Sequence, residues 1–174
     1  SVPGHTPGSI ALHVPSVGVL FTGDTIASHE GVPILGVFNI DRRQAARDER
    51  LAKSLLPQVA PKLSVERDFA QQVLVAAARL HELGLAVSHS GYHKHGAYVL
   101  ENADMPGFSR REQMMLSFLV LNQRRKLRAP EVSSYSFSAD WALVLALRLA
   151  TLFNRMRIDQ RIPPMRLAPA RKGW

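Results

Sequence analysis

The sequence predicts a mainly α protein: a helical domain with a short N-terminal β-hairpin extension and a C-terminal strand. From about residue 41 onward, apolar residues recur every three or four positions, and helix-capping residues precede these runs. Before residue 40, short alternating runs are separated by Gly and Pro. We therefore expect two units, a hairpin over residues 1–39 and a helical domain over residues 40–174.

The predicted hairpin begins with the alternating run "SIALHV", which is typical of a strand. "PSVG" then supplies turn residues, and "VGVLFTG" forms the second strand. A hairpin of this size buries too little apolar surface to be stable by itself, so we expect it either to dock on the helices or to remain loose.

Five helices and a strand are predicted downstream of the hairpin. Asp41 caps a helix that ends at Pro57, and Ser64 caps a second that ends at Gly84. After a short helix near residues 97–101, a capping box at Ser109 opens another helix. Ser138 caps the longest apolar helix, and "RIPPMRLAP" turns into the C-terminal strand.

Charge and composition narrow the classes of function. The net charge is +8, and basic residues strongly outnumber acidic ones from Met105 onward, so this part can attract a polyanion. There is no cysteine, which excludes thiolate metal sites and fits a cytoplasmic protein. No apolar run is long enough to span a membrane, so we expect no membrane partner.

The N-terminal part pairs a loop histidine with an aspartate after a strand. In "VPGHTPGSIAL" and "VLFTGDT", His5 and Asp24 could reach one metal ion. These strings resemble the middle of metallo-β-lactamase-fold hydrolases, and the resemblance implies that His5 and Asp24 are metal ligands. The His-x-His-x-Asp-His motif of that family is absent. We therefore expect a fragment of that fold without a complete metal centre.

A histidine-rich segment, "RLHELGLAVSHSGYHKHGAY", suggests a second metal site. HD-type phosphohydrolases bind a divalent cation such as Mg²⁺ or Zn²⁺ through a helix-end histidine, the acidic residue that follows it and nearby histidines. The bound metal activates water. The candidates are His81, Glu82, His89, His93 and His95. The alternative is structural, with the histidines fixing the turn through a buried polar network.

The longer string "AARLHELGLAVSHSGYHKHGAYVLENADMPGFSRREQMMLSFLVLNQRRKL" resembles the C-terminal HD-like helical domain of the exopolyphosphatase and guanosine pentaphosphate phosphatase family. The resemblance implies that phosphoric anhydride hydrolysis resides in a separate actin-like region with glycine-rich phosphate loops, which this sequence lacks. The helical domain would line a basic passage for polyphosphate. The candidate phosphate ligands are Lys94, Arg110, Arg111, Arg124, Arg125, Lys126, Arg128 and Arg155, whereas we expect Arg148 to pair with an acid.

Three functions remain open on the sequence. The first is a module that binds polyphosphate or another phosphate-rich polyanion and has no catalytic centre of its own. The second is a metal-dependent HD-type phosphohydrolase that uses His81, Glu82, His93 and His95. The third is an interaction domain, for example in a homodimer, or a vestigial domain without a ligand. Nucleic acid is expected to bind only non-specifically, because no nucleic-acid motif is present.

Overall fold

The computed structural model describes residues 41–129, 139–158 and 162–168, together with four short strands before them. The strands are β1 Leu12–Val14, β2 Val19–Phe21, β3 Ser28–His29 and β4 Val32–Pro33. β1 pairs with β2 and β3 with β4, both antiparallel. Most residues of the predicted hairpin, including His5 and Asp24, lie outside the described residues. The hairpin extension and its resemblance to a metallo-β-lactamase-fold fragment therefore stay predictions.

Five α-helices make up most of the described chain, and the mainly α class is confirmed. They are α1 Arg42–Val59, α2 Arg67–Leu80, α3 Tyr92–Asn102, α4 Arg110–Asn122 and α5 Trp141–Phe153. Short 3₁₀ segments, Ala60–Lys62 and Leu83–Ala86, follow α1 and α2. None of the described helices has the length and apolar character needed to cross a membrane.

Side chains at the helix starts satisfy backbone N–H groups that have no partner within the helix. Asp41 accepts from the Gln44 amide at 2.9 Å, and Ser109 and Glu112 form the expected capping box. The predictions for Ser64 and Ser138 are wrong, because α2 begins after Glu66 and Asp140 caps α5. Ser64 instead donates through its amide and hydroxyl to the Asp140 carboxylate.

Helix α1 continues past Pro57, where the sequence predicts its end. An internal proline costs a helix about 3 kcal/mol because it removes one hydrogen bond and crowds the preceding turn. Around it, Leu55, Leu56 and Val59 are each at most 3% exposed. Burying three large apolar side chains offsets a cost of that size. Tertiary packing therefore sets the helix end.

The hydrophobic core lies where α1 contacts α2 and α5 and where α4 contacts α2 and α3. Fully buried leucines from several helices meet there, and Leu143 and Leu147 bring the α5 side chains into the same core. The core face of α2 includes small residues, which allow neighbouring helices to approach closely. These are Ala70, Ala76, Ala77 and Ala78.

The predicted C-terminal strand is absent from residues 162–168, which carry no regular secondary structure. A strand needs a neighbouring strand to pair its backbone groups, and the described residues offer none at this place. The side chain of Gln58 takes that role. Its amide donates to the Met165 carbonyl at 3.0 Å, and its carbonyl oxygen accepts from the Leu167 amide at 2.8 Å.

Candidate anion-binding site

Part of the histidine-rich segment is the beginning of α3 rather than a turn. Gly91 precedes the helix with φ of 69°, a left-handed conformation that suits glycine. His93 and His95 therefore lie in the first turn of α3. Gly84 fixes the segment, because a Cβ there would lie 1.9 Å from the Tyr92 carbonyl oxygen. The sequence of this segment thus places α3 directly against Leu83–Ala86.

The second part of the site is the loop that follows α4, residues 123–128, which we call the cation loop. Asn122 precedes it, and its side-chain oxygen accepts from the Arg128 amide at 2.7 Å. Arg125 has a left-handed backbone with φ of 65°, and its carbonyl accepts from Arg148 Nη2 at 2.7 Å. The Arg124 guanidinium lies 4.7 Å from the centre of the Tyr92 ring, a cation–π contact. The loop is therefore held at several points.

The beginning of α3, the preceding turn and the cation loop enclose a cavity of about 390 Å³, the basic cavity. Cationic side chains dominate its wall, and among the described residues that line it there is no Asp or Glu. Such an arrangement gives the cavity a positive potential that favours an anion. The lining residues are His89, Ser90, Gly91, His93, Lys94, Arg124, Arg125, Lys126 and Arg128.

His93 is the most buried ionisable side chain in the wall of the basic cavity. It is 6% exposed, and its Nδ1 has no hydrogen-bond partner among the described residues. Burial lowers the pKa of His93, and the nearby cations Arg124, Lys94, Arg128 and Arg125 lower it further. A lowered pKa keeps the ring neutral at neutral pH, with one nitrogen available as a hydrogen-bond donor.

A second cavity of about 580 Å³ adjoins the first, and Arg124 and Arg125 line both. Its wall combines two more arginines, Arg148 and Arg155, with the apolar face of α5. The remaining lining residues are Tyr92, Gln123, Leu145, Leu149, Thr151 and Leu152. The positive surface thus extends from the basic cavity along α5.

The structure brings most, but not all, of the predicted phosphate ligands together. Lys94, Arg124, Arg125, Lys126 and Arg128 line the basic cavity, and Arg155 lines the second cavity. Arg110 and Arg111 line neither of them.

Arg110 and Arg111 have contacts at the start of α4 instead. Arg110 donates to the Glu101 carbonyl at 2.6 Å, and Arg111 lies over the Phe69 ring. Arg148 corrects another expectation, since it donates to the Arg125 carbonyl rather than pairing with an acid. Sequence reasoning also missed Asn122 and Tyr92, whose roles have no local sequence signal.

The five metal-ligand candidates of the histidine-rich segment are divided between two places. His89 and His93 line the basic cavity, whereas His81 and Glu82 lie at the end of α2, and His95 does not line the cavity. Among the described residues, no three His, Cys, Asp or Glu side chains are grouped so that they could hold a metal ion. The donors in the described part of the chain therefore do not fit a metal centre.

His81 belongs instead to a buried polar group that joins three helix ends, the Asp48 cluster, made of Gln44, Asp48, His81 and Asn154. His81 Nδ1 lies 3.0 Å from the Ala78 carbonyl, and its Nε2 lies 3.5 Å from Asp48 Oδ2. Burial raises the pKa of Asp48 to about 7 and lowers that of His81 to about 4. Both side chains are therefore neutral between about pH 4 and pH 7.

The fold and the site together define a helical domain with a cavity suited to an anion. Residues 33–172 match the family model "Ppx/GppA phosphatase, domain III", and the chain belongs to this family. The resemblance noted for the helical part is thereby confirmed, whereas the resemblance of the N-terminal part to metallo-β-lactamase-fold hydrolases stays a prediction.

Two curated relatives carry the name guanosine-5'-triphosphate,3'-diphosphate pyrophosphatase. The protein from Pseudoalteromonas atlantica is 35% identical over 141 residues, which cover 79% of this chain and 28% of that protein. The protein from Pseudoalteromonas translucida is 31% identical over 128 residues, 72% of this chain and 26% of the relative. The chain therefore spans about a quarter of the length of these relatives.

Proposed function

We propose that this domain of a Ppx/GppA-type protein holds the phosphate chain of an anionic ligand, polyphosphate above all, in the basic cavity. The observation that carries the proposal is the wall of that cavity. It contains five Lys and Arg side chains from two separate segments, and no acid among the described lining residues. A neutral ligand gains no ionic attraction from these side chains, whereas each phosphate unit carries a negative charge that they attract.

The chemistry of the wall suits phosphate oxygens. Arginine offers several N–H donors in a planar fork, and charge-assisted hydrogen bonds to phosphate are stronger than neutral ones. Because Arg124 and Arg125 line both cavities, a long phosphate chain that leaves the basic cavity can continue toward Arg148 and Arg155. The proposal therefore favours a chain over a single phosphate ion.

We assign binding, and not hydrolysis, to the basic cavity. Phosphoryl transfer needs a general base, most often His or a carboxylate, and usually a divalent metal ion as well. The described lining residues include His89 and His93 but no carboxylate that could hold such an ion. The reaction named for the two relatives would therefore depend on groups other than these.

A titration with long-chain polyphosphate at several salt concentrations tests the proposal, with calorimetry as the readout. Five phosphate contacts predict that affinity falls roughly hundredfold between 50 and 200 mM salt, because binding releases counterions. A single-stranded nucleic acid of equal charge serves as the comparison. Polyphosphate binding that is absent, or no tighter than that of the nucleic acid, would contradict the proposal.

Paired charge variants locate the binding site. Arg124→Gln with Arg125→Gln removes two cations from the cavity wall and should weaken polyphosphate binding by at least about tenfold. Arg110→Gln with Arg111→Gln removes the same charge from the start of α4, away from both cavities. That control should change affinity by less than about threefold. Equal losses in the two variants would mean that only net charge matters.

A further inference from the structure

The cation loop brings together charges that repel one another. Arg124, Arg125, Lys126 and Arg128 lie within five consecutive residues. The residues from Arg125 to Arg128 are exposed. Like charges this close are separated by less than a Debye length, so salt screens them only in part. A loop with this composition tends to open unless other contacts hold it closed.

Asn122 supplies one such contact from inside the protein. It is fully buried, and its side chain makes hydrogen bonds in two directions. The amide group donates to the Phe118 carbonyl of the preceding helical turn at 3.0 Å, and the oxygen accepts from the Arg128 amide at 2.7 Å. The first bond fixes the side chain, and the second ties the far end of the loop to the end of α4.

The backbone of the loop is strained in a way that requires such restraints. Arg125 has φ of 65°, a conformation that costs a non-glycine residue energy and persists only where surrounding contacts hold it. The Arg148 guanidinium donates a hydrogen bond to the Arg125 carbonyl, and the Tyr92 ring contacts the Arg124 side chain. Several independent contacts therefore hold the loop in this arrangement.

We propose that Asn122 is a positioning residue of the anion site, which keeps the cation loop closed so that Arg128 and Lys126 face the same ligand as Lys94. Asn122 does not line the basic cavity itself and acts through the backbone of Arg128. The inference rests on the proposed binding of phosphate chains. The ligand of this site would be a chain with several adjacent phosphates, because only such a ligand can contact all these cations at once.

Asn122→Ala tests this proposal by polyphosphate titration at several salt concentrations. An open loop brings fewer cations to the ligand, so affinity should fall by about tenfold. The slope of log affinity against log salt should become shallower by about 0.7 for each phosphate that the protein no longer neutralises. A general loss of folded protein would lower the bound fraction and leave that slope unchanged. The slope therefore separates positioning from mere stability.

Asn102→Ala is the matched control. The Asn102 side chain also donates to the carbonyl four residues earlier, Tyr98, at 2.8 Å, at the end of α3. The Asn102→Ala variant should bind polyphosphate with the same affinity and the same salt slope as the wild type. If wild type binds and Asn122→Ala binds with the same affinity and slope, this inference is wrong while the proposed function stands. If wild type itself does not bind, the proposed function fails.

Amide hydrogen exchange on the wild-type protein keeps the inference testable if Asn122→Ala does not fold. The Arg128 amide, which donates to Asn122, should exchange at least about tenfold more slowly than an open loop amide, and polyphosphate should slow it further. An Arg128 amide that exchanges as freely as an unstructured one, with and without polyphosphate, would overturn the inference.

Discussion

The side-chain amide of Gln123 donates a hydrogen bond of 2.6 Å to the backbone carbonyl of His81. Both residues are 3% exposed, and 42 positions separate them in the sequence. Gln123 begins the cation loop, whereas His81 belongs to the Asp48 cluster. The contact therefore links the anion site to the buried polar group at the ends of α1, α2 and α5.

Replacing Gln123 by Ala should destabilise the fold. The change leaves the buried His81 carbonyl without its donor, which costs about 1–3 kcal/mol. Gln71→Ala changes the same residue type at an exposed position of α2 and should cost less than about 0.5 kcal/mol. Urea unfolding followed by circular dichroism measures both. Equal midpoints for the two variants would contradict the role given to Gln123.

Gly84→Ala should be one of the most damaging substitutions in the chain. The added Cβ would lie 1.9 Å from the Tyr92 carbonyl and 2.5 Å from the Gly96 amide nitrogen, both of them backbone atoms. Because backbone must move, we expect a loss of several kcal/mol or no stable fold. Thermal unfolding measures the effect.

Gly91→Ala is the comparison for Gly84→Ala within the same segment. There the nearest atom to the new Cβ is the flexible Lys94 side chain at 3.9 Å, and the cost comes from φ of 69° alone. About 1 kcal/mol is expected. If Gly91→Ala destabilised the protein more than Gly84→Ala, the close approach of α3 to Leu83–Ala86 would be wrong.

Asp140 should contribute more to stability than an ordinary helix cap. Its carboxylate accepts from the Leu143 amide at 3.0 Å and also from the Ser64 amide at 2.9 Å. Asp140→Ala removes both contacts, and we expect a loss of about 2–3 kcal/mol. Asp41→Ala removes the α1 cap, which is half-buried, and should cost about 1 kcal/mol. Chemical denaturation that ranks the two in the opposite order would refute this.

Asp48 should make stability depend on pH in the direction opposite to that of a paired surface carboxylate. Burial raises its pKa from 3.8 to about 7, so between these values the folded protein holds a proton that the unfolded chain has lost. The contribution of Asp48 to stability therefore falls as pH rises through this window. The slope is about 1.4 kcal/mol per pH unit.

Asp48→Asn removes that slope. Relative to wild type, the variant should gain stability as pH rises from about 4 to about 7 and show no further gain above that. Ionisable groups near Asp48 contribute to both proteins, so most of their slope cancels in the difference. These include Glu82, whose pKa burial raises, and His81, whose lowered pKa gives wild type an opposing slope between about 4 and 6.5.

The comparison is measured as the unfolding free energy of both proteins across this pH range. Asp41→Asn provides a control of opposite sign, since the backbone hydrogen bond from Gln44 lowers the pKa of Asp41. Its stabilising effect is present above the unfolded pKa and is lost at lower pH. A difference curve for Asp48→Asn that falls with pH would show that the Asp48 carboxylate is charged and favourably paired.

Local signals were sufficient where a structure depends on neighbours in the sequence. The capping box of Ser109 and Glu112 spans four residues, and it is present as predicted. The cap predicted at Ser64 failed for a tertiary reason, since the Ser64 amide donates to the distant Asp140 carboxylate. The cap predicted at Ser138 was placed two residues too early, because Asp140 caps α5 through an equally local bond from the Leu143 amide. The end of α1 was missed because burial of Leu55 and Val59 offsets an internal proline.

The candidate site also divides into features that are visible in the local sequence and features that only the fold determines. The run of cations at 124–128 and the histidine-rich segment are visible in the sequence, but nothing local separates Arg124 from Arg110 as a ligand. Only the fold does so, because Arg110 bonds to the Glu101 carbonyl whereas Arg124 stacks on Tyr92 at the cavity wall. The role of Asn122 depends on a loop that returns to it, which no spacing rule reveals.

By itself, the sequence determined the mainly helical class and the excess of cations toward the C-terminal end, because periodicity and composition are properties of neighbouring residues. The family of the helical part was indicated by the resemblance of residues 77–127 to a known family, which the family model confirms. The tertiary structure decided which cations share one cavity and which side chains are buried with altered pKa values. Those outcomes depend on residues that are far apart in the chain but close in the fold, such as Lys94 and the cation loop at one cavity or Asp48 beside His81.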